Sequence, residues 1–163
     1  MIVTPKVSYL LTDTRLSALD RARYLELHEK REALKARKGK VTEQLKKLGR
    51  NASSSAGKKL RTELGKLNLE IDKFAGGMRK CFRWQVPSEF PLSMILTRDK
   101  VFAGGKGKVA AFETRKGGIA WEKKVRGNAY GLAAASGRLY VSTDDGSIYC
   151  YQAPGGGKEE ARR

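Results

Sequence analysis

A spacing of 37 to 39 residues recurs in this chain, and it restricts the fold more than any other feature. Lys100-Val101-Phe102 falls on Arg138-Leu139-Tyr140 at an offset of 38, Val109 falls on Ile148 at 39, and Trp84 falls on Trp121 at 37. The N-terminal segment SYLLTDTRLSALD aligns without gaps on VFAGGKGKVAAFE. That alignment sets Leu16, Ala18, Leu19 and Asp20 over Val109, Ala111, Phe112 and Glu113. Each copy reads as short runs of alternating apolar residues separated by Gly and Asp, with one strand ending in Trp; this is a four-stranded unit repeated along the chain.

Repeats of this length and strand number are the mark of β-propeller blades. The stretches VFAGGKGKVAAFETRKGGIAW and RLYVSTDDGSIYCY, with TRLSALD as a partial third, show a strand, a Gly or Asp turn, a second strand ending near an acidic residue, and a strand ending in Trp. This pattern resembles the PQQ-like repeat of quinoprotein-type and BamB-like propellers. It departs from that pattern at Phe112-Glu113 and Tyr151-Gln152, where the family usually has Leu-Asp, and at Arg115-Lys116-Gly117, where it usually has Thr-Gly-Lys. The fold class expected is mainly β with an α insertion: about two and a half antiparallel four-stranded blades forming an open fragment. The count is strands two to four of one blade, a whole blade from about Met94 to Val125, and three strands of a third. Ten strands do not close a ring that needs at least about four blades. Leu10, Leu139, Tyr140 and Ile148 are then expected to be only half covered.

The composition between the first two copies is of another kind. Residues 21–80 are rich in Lys, Arg, Glu, Leu and Ala and contain no Pro. Leu27, Leu34, Val41 and Leu48 recur every seven residues, interrupted by Arg31 and Lys38, while Leu60, Leu64, Leu67, Ile71, Phe74 and Met78 step by 4, 3, 4, 3, 4. Such seams predict two helices packed as an antiparallel coiled-coil hairpin, over 21–49 and 58–80, joined through RNASSSAGK. Asp20 is placed to cap the first helix and Gly49 to stop it. The hairpin is thus inserted in one blade, which it leaves after Asp20 and rejoins at CFRWQV. The domains expected are a partial blade over 1–20, the basic helical hairpin over 21–80, blade strands over 81–152 and a disordered tail over 153–163.

Chemistry-bearing residues are sparse. One histidine and two cysteines exclude a disulfide framework, a four-ligand zinc site and any Ser-His-Asp or Cys-His centre that does not run through His28. His28, beside Glu29, reads as a solvated side chain, and Cys81 and Cys150 as free thiols. Gly105 to Ala110 fits a loose dinucleotide pattern, but a strand follows it where a helix N-terminus would be needed, so it reads as a hairpin turn. Asp144-Asp145-Gly146 is likewise a hairpin turn, lacking the further oxygen ligands of a calcium loop. Trp84 and Trp121 hold the same place in their repeats and read as structural contacts between neighbouring units.

Charge is the outlier: 34 Lys and Arg against 17 Asp and Glu give a net +17. Residues 21–83 hold 19 of those cations and only 7 acidic residues, so Lys35, Arg37, Lys38, Lys46, Lys47, Lys58, Lys59 and Arg61 are candidate anion contacts. The leading reading is a non-catalytic scaffold, with no catalytic residues, metal site or cofactor, presenting the hairpin to a protein or an anionic surface. The remaining blades of a propeller are a second expected partner, and self-association is expected if the chain is isolated. Two rivals are carried: a fragment of a PQQ-dependent quinoprotein dehydrogenase, with PQQ and calcium as cofactors, and nucleic-acid binding through the hairpin. No stretch is long and apolar enough to span a membrane, and MIVTPKVSYLL carries no export signal. The resemblance implies a periplasmic or outer-membrane-associated setting.

Overall fold

The computed structural model describes residues 1–152, apart from the side chains of Arg50 and Ala52. The tail expected over 153–163 lies outside the described residues. The chain divides into two compact units, one made of 1–19 with the segment from Arg83 onward, the other of Asp20–Phe82.

The first unit is mainly antiparallel β. Its N-terminal sheet has the order β1 (Ile2–Val3), β2 (Val7–Leu11), β3 (Arg15–Asp20), β4 (Phe82–Pro87). The expectation of three strands here is corrected to four, because Ile2 and Val3 pair with Tyr9 and Ser8. The signal was a turn chemistry: Thr4 N–H donates to the Val7 carbonyl at 2.9 Å, and Thr97 N–H to the Lys100 carbonyl at 2.9 Å, so IVTPKV and ILTRDKV make the same turn 93 residues apart.

The second sheet runs β5 (Ser93–Leu96), β6 (Lys100–Glu113), β7 (Ile119–Ala135), β8 (Arg138–Thr143), β9 (Ile148–Gln152). Although β6 is one continuous run, it is folded back on itself. Thr114 donates both N–H and Oγ1 to the Asp99 carbonyl at 3.1 Å, whereas a straight strand would part these residues by roughly 50 Å. The fold falls near Gly107, whose φ of 69° a side chain would resist. The first arm pairs with β5 (Met94 to Ala103) and the second with β7 (Ala111 to Trp121). Later, β7 shifts register and pairs with β8 (Leu132 to Val141).

Alternation then puts the two faces of β6 into two cores. Val101, Ala103, Ala110 and Phe112 close against Val7, Tyr9, Leu16, Ala18 and Trp84 of the N-terminal sheet. Val109 packs on the other side with Val125, Ala129, Leu139 and Val141, joined by Phe102, Trp121 and Tyr151. Leu139, expected to be half covered, is therefore buried, since its side of β8 faces this second core; Ile148 on the opposite side is 77% exposed.

In the second unit α1 (Arg21–Leu48) is capped by Asp20, whose side chain accepts from Arg23 N–H, and ends at Gly49. After a short 3₁₀ turn, α2 (Ser55–Arg79) begins three residues earlier than the expected 58, because Ser54 Oγ accepts from Gly57 N–H and draws Ser55-Ala56-Gly57 into the first turn. The two helices run antiparallel: Leu27 lies against Gly77 and Arg37 against Glu63. At the base, Asp20 N–H donates to the Cys81 carbonyl at 2.8 Å.

Candidate anion-binding face on the helical hairpin

The seam positions 24, 27, 31, 34, 38, 41, 45 and 48 on α1, and 57, 60, 64, 67, 71, 74 and 78 on α2, all have reduced exposure. Both follow the 3, 4 stepping of facing helices. Arg31 and Lys38 thus lie on the seam. His28 is not solvated as expected: it is half-buried, stacked 6.3 Å from Tyr24, and its Nδ1 and the Nε of Arg31 are buried without a partner among the described residues.

The cations are not spread evenly. Between residues 35 and 66, the half of the hairpin away from its base, there are eleven Lys and Arg and two acidic residues. The base half, 20–34 with 67–82, has seven cations and six acidic residues. The hairpin is nearly neutral where it begins and ends, and strongly positive around its turn.

The structure sorts the sequence-predicted contacts. Lys35 is engaged by Glu32 at 2.8 Å, Lys46 by Glu43 at 3.2 Å, and Arg37 by Glu63 at 2.5 Å. The Lys35 partnership holds the Glu32 carboxyl below the usual carboxylate range. Lys38 is half-buried on the seam, while Lys47, Lys58, Lys59 and Arg61 are exposed, with no carboxylate within 4.0 Å among the described residues. Two cations that sequence reasoning passed over join them: Lys40, one heptad before Lys47, and Lys66, one heptad after Lys59. That spacing was the signal available.

Helical geometry gathers only some of these residues. Arg37 and Glu63 flank the seam, and at roughly 100° per residue Lys59 and Lys66 on α2 lie further round on that side, while Lys40 and Lys47 turn to the outer face of α1. An open groove of about 520 Å³ runs there, lined by Arg37, Ser55, Lys58, Lys59, Thr62, Glu63 and Lys66. Its one carboxylate is already paired with Arg37.

Elsewhere the predicted residues hold structural positions. Trp84 Nε1 donates to the Thr114 carbonyl at 2.8 Å, and its ring lies over Gly117, where a Cβ would come 2.5 Å from the indole. Trp121 packs edge-on to Tyr151 with centroids 4.9 Å apart. Gly105 to Ala110 lies within β6 and leads into no helix, and Asp144-Asp145-Gly146 forms the turn between β8 and β9. Cys81 is buried, which pushes its thiol up, and Cys150 is exposed. Among the described residues no group of three or more His, Cys, Asp or Glu is placed to hold a metal, and no helix is long and apolar enough to cross a membrane.

Residues 105–159 match the family described as outer membrane protein assembly factor BamB, a PQQ-like repeat family. The match takes in the second arm of β6 and β7 to β9, a third of the chain, and supports PQQ-like repeat character there. No curated protein matches the chain.

Proposed function

We propose that this chain is a non-catalytic scaffold module: consecutive blades of a PQQ-like β-propeller that present a basic, coiled-coil-like hairpin to a protein or anionic partner. One observation carries the reading. The layer contact made by Tyr9, Leu16, Ala18 and Trp84 on Val101 and Phe112 is repeated, at the aligned positions Phe102, Val109 and Trp121, on Leu139 and Tyr151. Repetition of one interface along a chain is how blades stack, and a stack of rigid sheets suits binding through what its loops carry. The helices fall between β3 and β4, sequence neighbours in one sheet, as an insertion in a loop does.

Excision of residues 22–79, with a short Gly/Ser bridge from Arg21 to Lys80, tests this. The expected result is an unchanged strand signal by circular dichroism and a single cooperative urea transition. Loss of the strand signal would show that the helices belong to the folding core and that the module reading is wrong.

A further inference from the structure

We infer that the groove side of the hairpin's turn half binds the sugar-phosphate backbone of duplex DNA without regard to sequence. The inference deepens the proposed function by naming the anionic partner, and it rests on that reading only in treating the hairpin as a presented element.

Four observations point to this ligand. The charge is confined to the turn half, which is the arrangement of a contact surface; a charge serving only solubility has no need to vanish from the base. Lys59 and Lys66 on α2, one heptad apart, are spaced about 10.5 Å at 1.5 Å per residue. One strand of a duplex offers a phosphate about every 3.4 Å of axis, so the pair spans about three of them. With Arg37 and Lys58 they line a groove furnished with donors, the hydroxyls of Ser55 and Thr62 among them, whose single carboxylate is neutralised. A backbone ridge enters a groove; a flat plane of lipid headgroups does not.

The same surface argues against the neighbouring ligand classes. Single strands are held by stacking on aromatic side chains, and residues 35–66 contain no aromatic residue. Insertion into a membrane interface needs exposed apolar side chains. Among the described residues, the large exposed hydrophobics of the hairpin are Leu25 and Leu69, both in its base half.

The test uses the full chain and a fluorescein-labelled duplex DNA of about 20 base pairs, titrated by anisotropy over a salt series. The triple variant Lys58→Gln, Lys59→Gln, Lys66→Gln removes three groove-lining cations. The triple variant Lys35→Gln, Lys46→Gln, Arg61→Gln removes three charges from other faces of the same half. The groove-side triple is expected to lose about 30-fold or more in affinity near 0.1 M salt and to lower the slope of log K against log salt by about three, at roughly 0.9 per phosphate contact. The control triple is expected to lose less than about fivefold. Equal losses in the two triples would overturn the proposal, since net charge alone would then account for binding. So would tighter binding to vesicles containing phosphatidylserine, or a clear preference for duplex RNA. Each of those results leaves the strand signal of the hairpin-deleted chain untouched, so failure here is separable from failure of the module reading.

Discussion

Trp84 shows how much a single residue does in joining two sheets. Its indole spans from β4 to the turn after β6, donating to Thr114 and lying on Gly117, whose φ is 73°. Trp84→Phe keeps most of the ring and loses the hydrogen bond, leaving a carbonyl unpaired; a loss of about 1–2 kcal/mol is expected in urea unfolding. Gly117→Ala strains the backbone and forces the indole away, so a loss of about 1–3 kcal/mol is expected from the conformation alone. An unchanged midpoint for both would mean that the turn moves freely under the ring. Asp144 offers a second check. Its carboxylate accepts from the backbone N–H of Asn128 and from Asn128 Nδ2, each at 2.7 Å, and these bonds, the backbone one first, hold its carboxyl below the usual range. A carboxyl whose folded pKa lies below its unfolded value near about 4 adds stability above that pH and loses it as pH falls through the folded value. The thermal midpoint is therefore expected to drop as the solution is acidified below about 4, and Asp144→Asn to flatten part of that drop. The same acid sensitivity in Asp144→Asn would remove Asp144 from the account.

The helices carry internal weaknesses that the packing does not require. Gly39 and Gly65 each sit mid-helix, and a Cβ at either position would meet nothing within 4 Å. Gly39→Ala and Gly65→Ala should each stabilise the hairpin by about 1 kcal/mol, because alanine loses less backbone freedom on entering a helix. The helical dichroism signal reports this as a higher melting midpoint. A lower midpoint would show that another chain or ligand needs the open space. The seam also holds Arg31 and Lys38, both half-buried, with the Nε of Arg31 among the buried atoms. The heptads named these two positions as interruptions, and the structure keeps them in line because the flanking Leu27, Leu34 and Val41 fix the phase of the helix.

At the scale of the whole molecule, the outer side of the third layer is exposed among the described residues. Ser142 pairs with Ile148 and Tyr140 with Cys150, so these four side chains share the side of the sheet opposite the core, where Ile148 is 77% exposed. The corresponding side of each earlier layer is covered by the next. Association through this face is expected, opposed by the +17 charge and favoured as salt shortens the screening length, which is about 8 Å at physiological strength. Sedimentation over a salt series should show it, and Ile148→Lys should suppress it; a monomer at every salt concentration would contradict it. What the amino-acid sequence determined by itself was the periodic part: the repeat near 38 residues, the two helices with the cap at Asp20 and the stop at Gly49, and the structural place of Trp84, because period, turn chemistry and caps are local properties. The tertiary structure decided the rest. Two residues, Ile2 and Val3, become a strand only through pairing with β2. Leu139 is buried because of which side of β8 faces the second core. Lys66 joins the anionic-ligand face because helix packing fixes which side of α2 flanks the Arg37–Glu63 pair. The last two depend on groups far apart in the chain, which a local pattern does not orient.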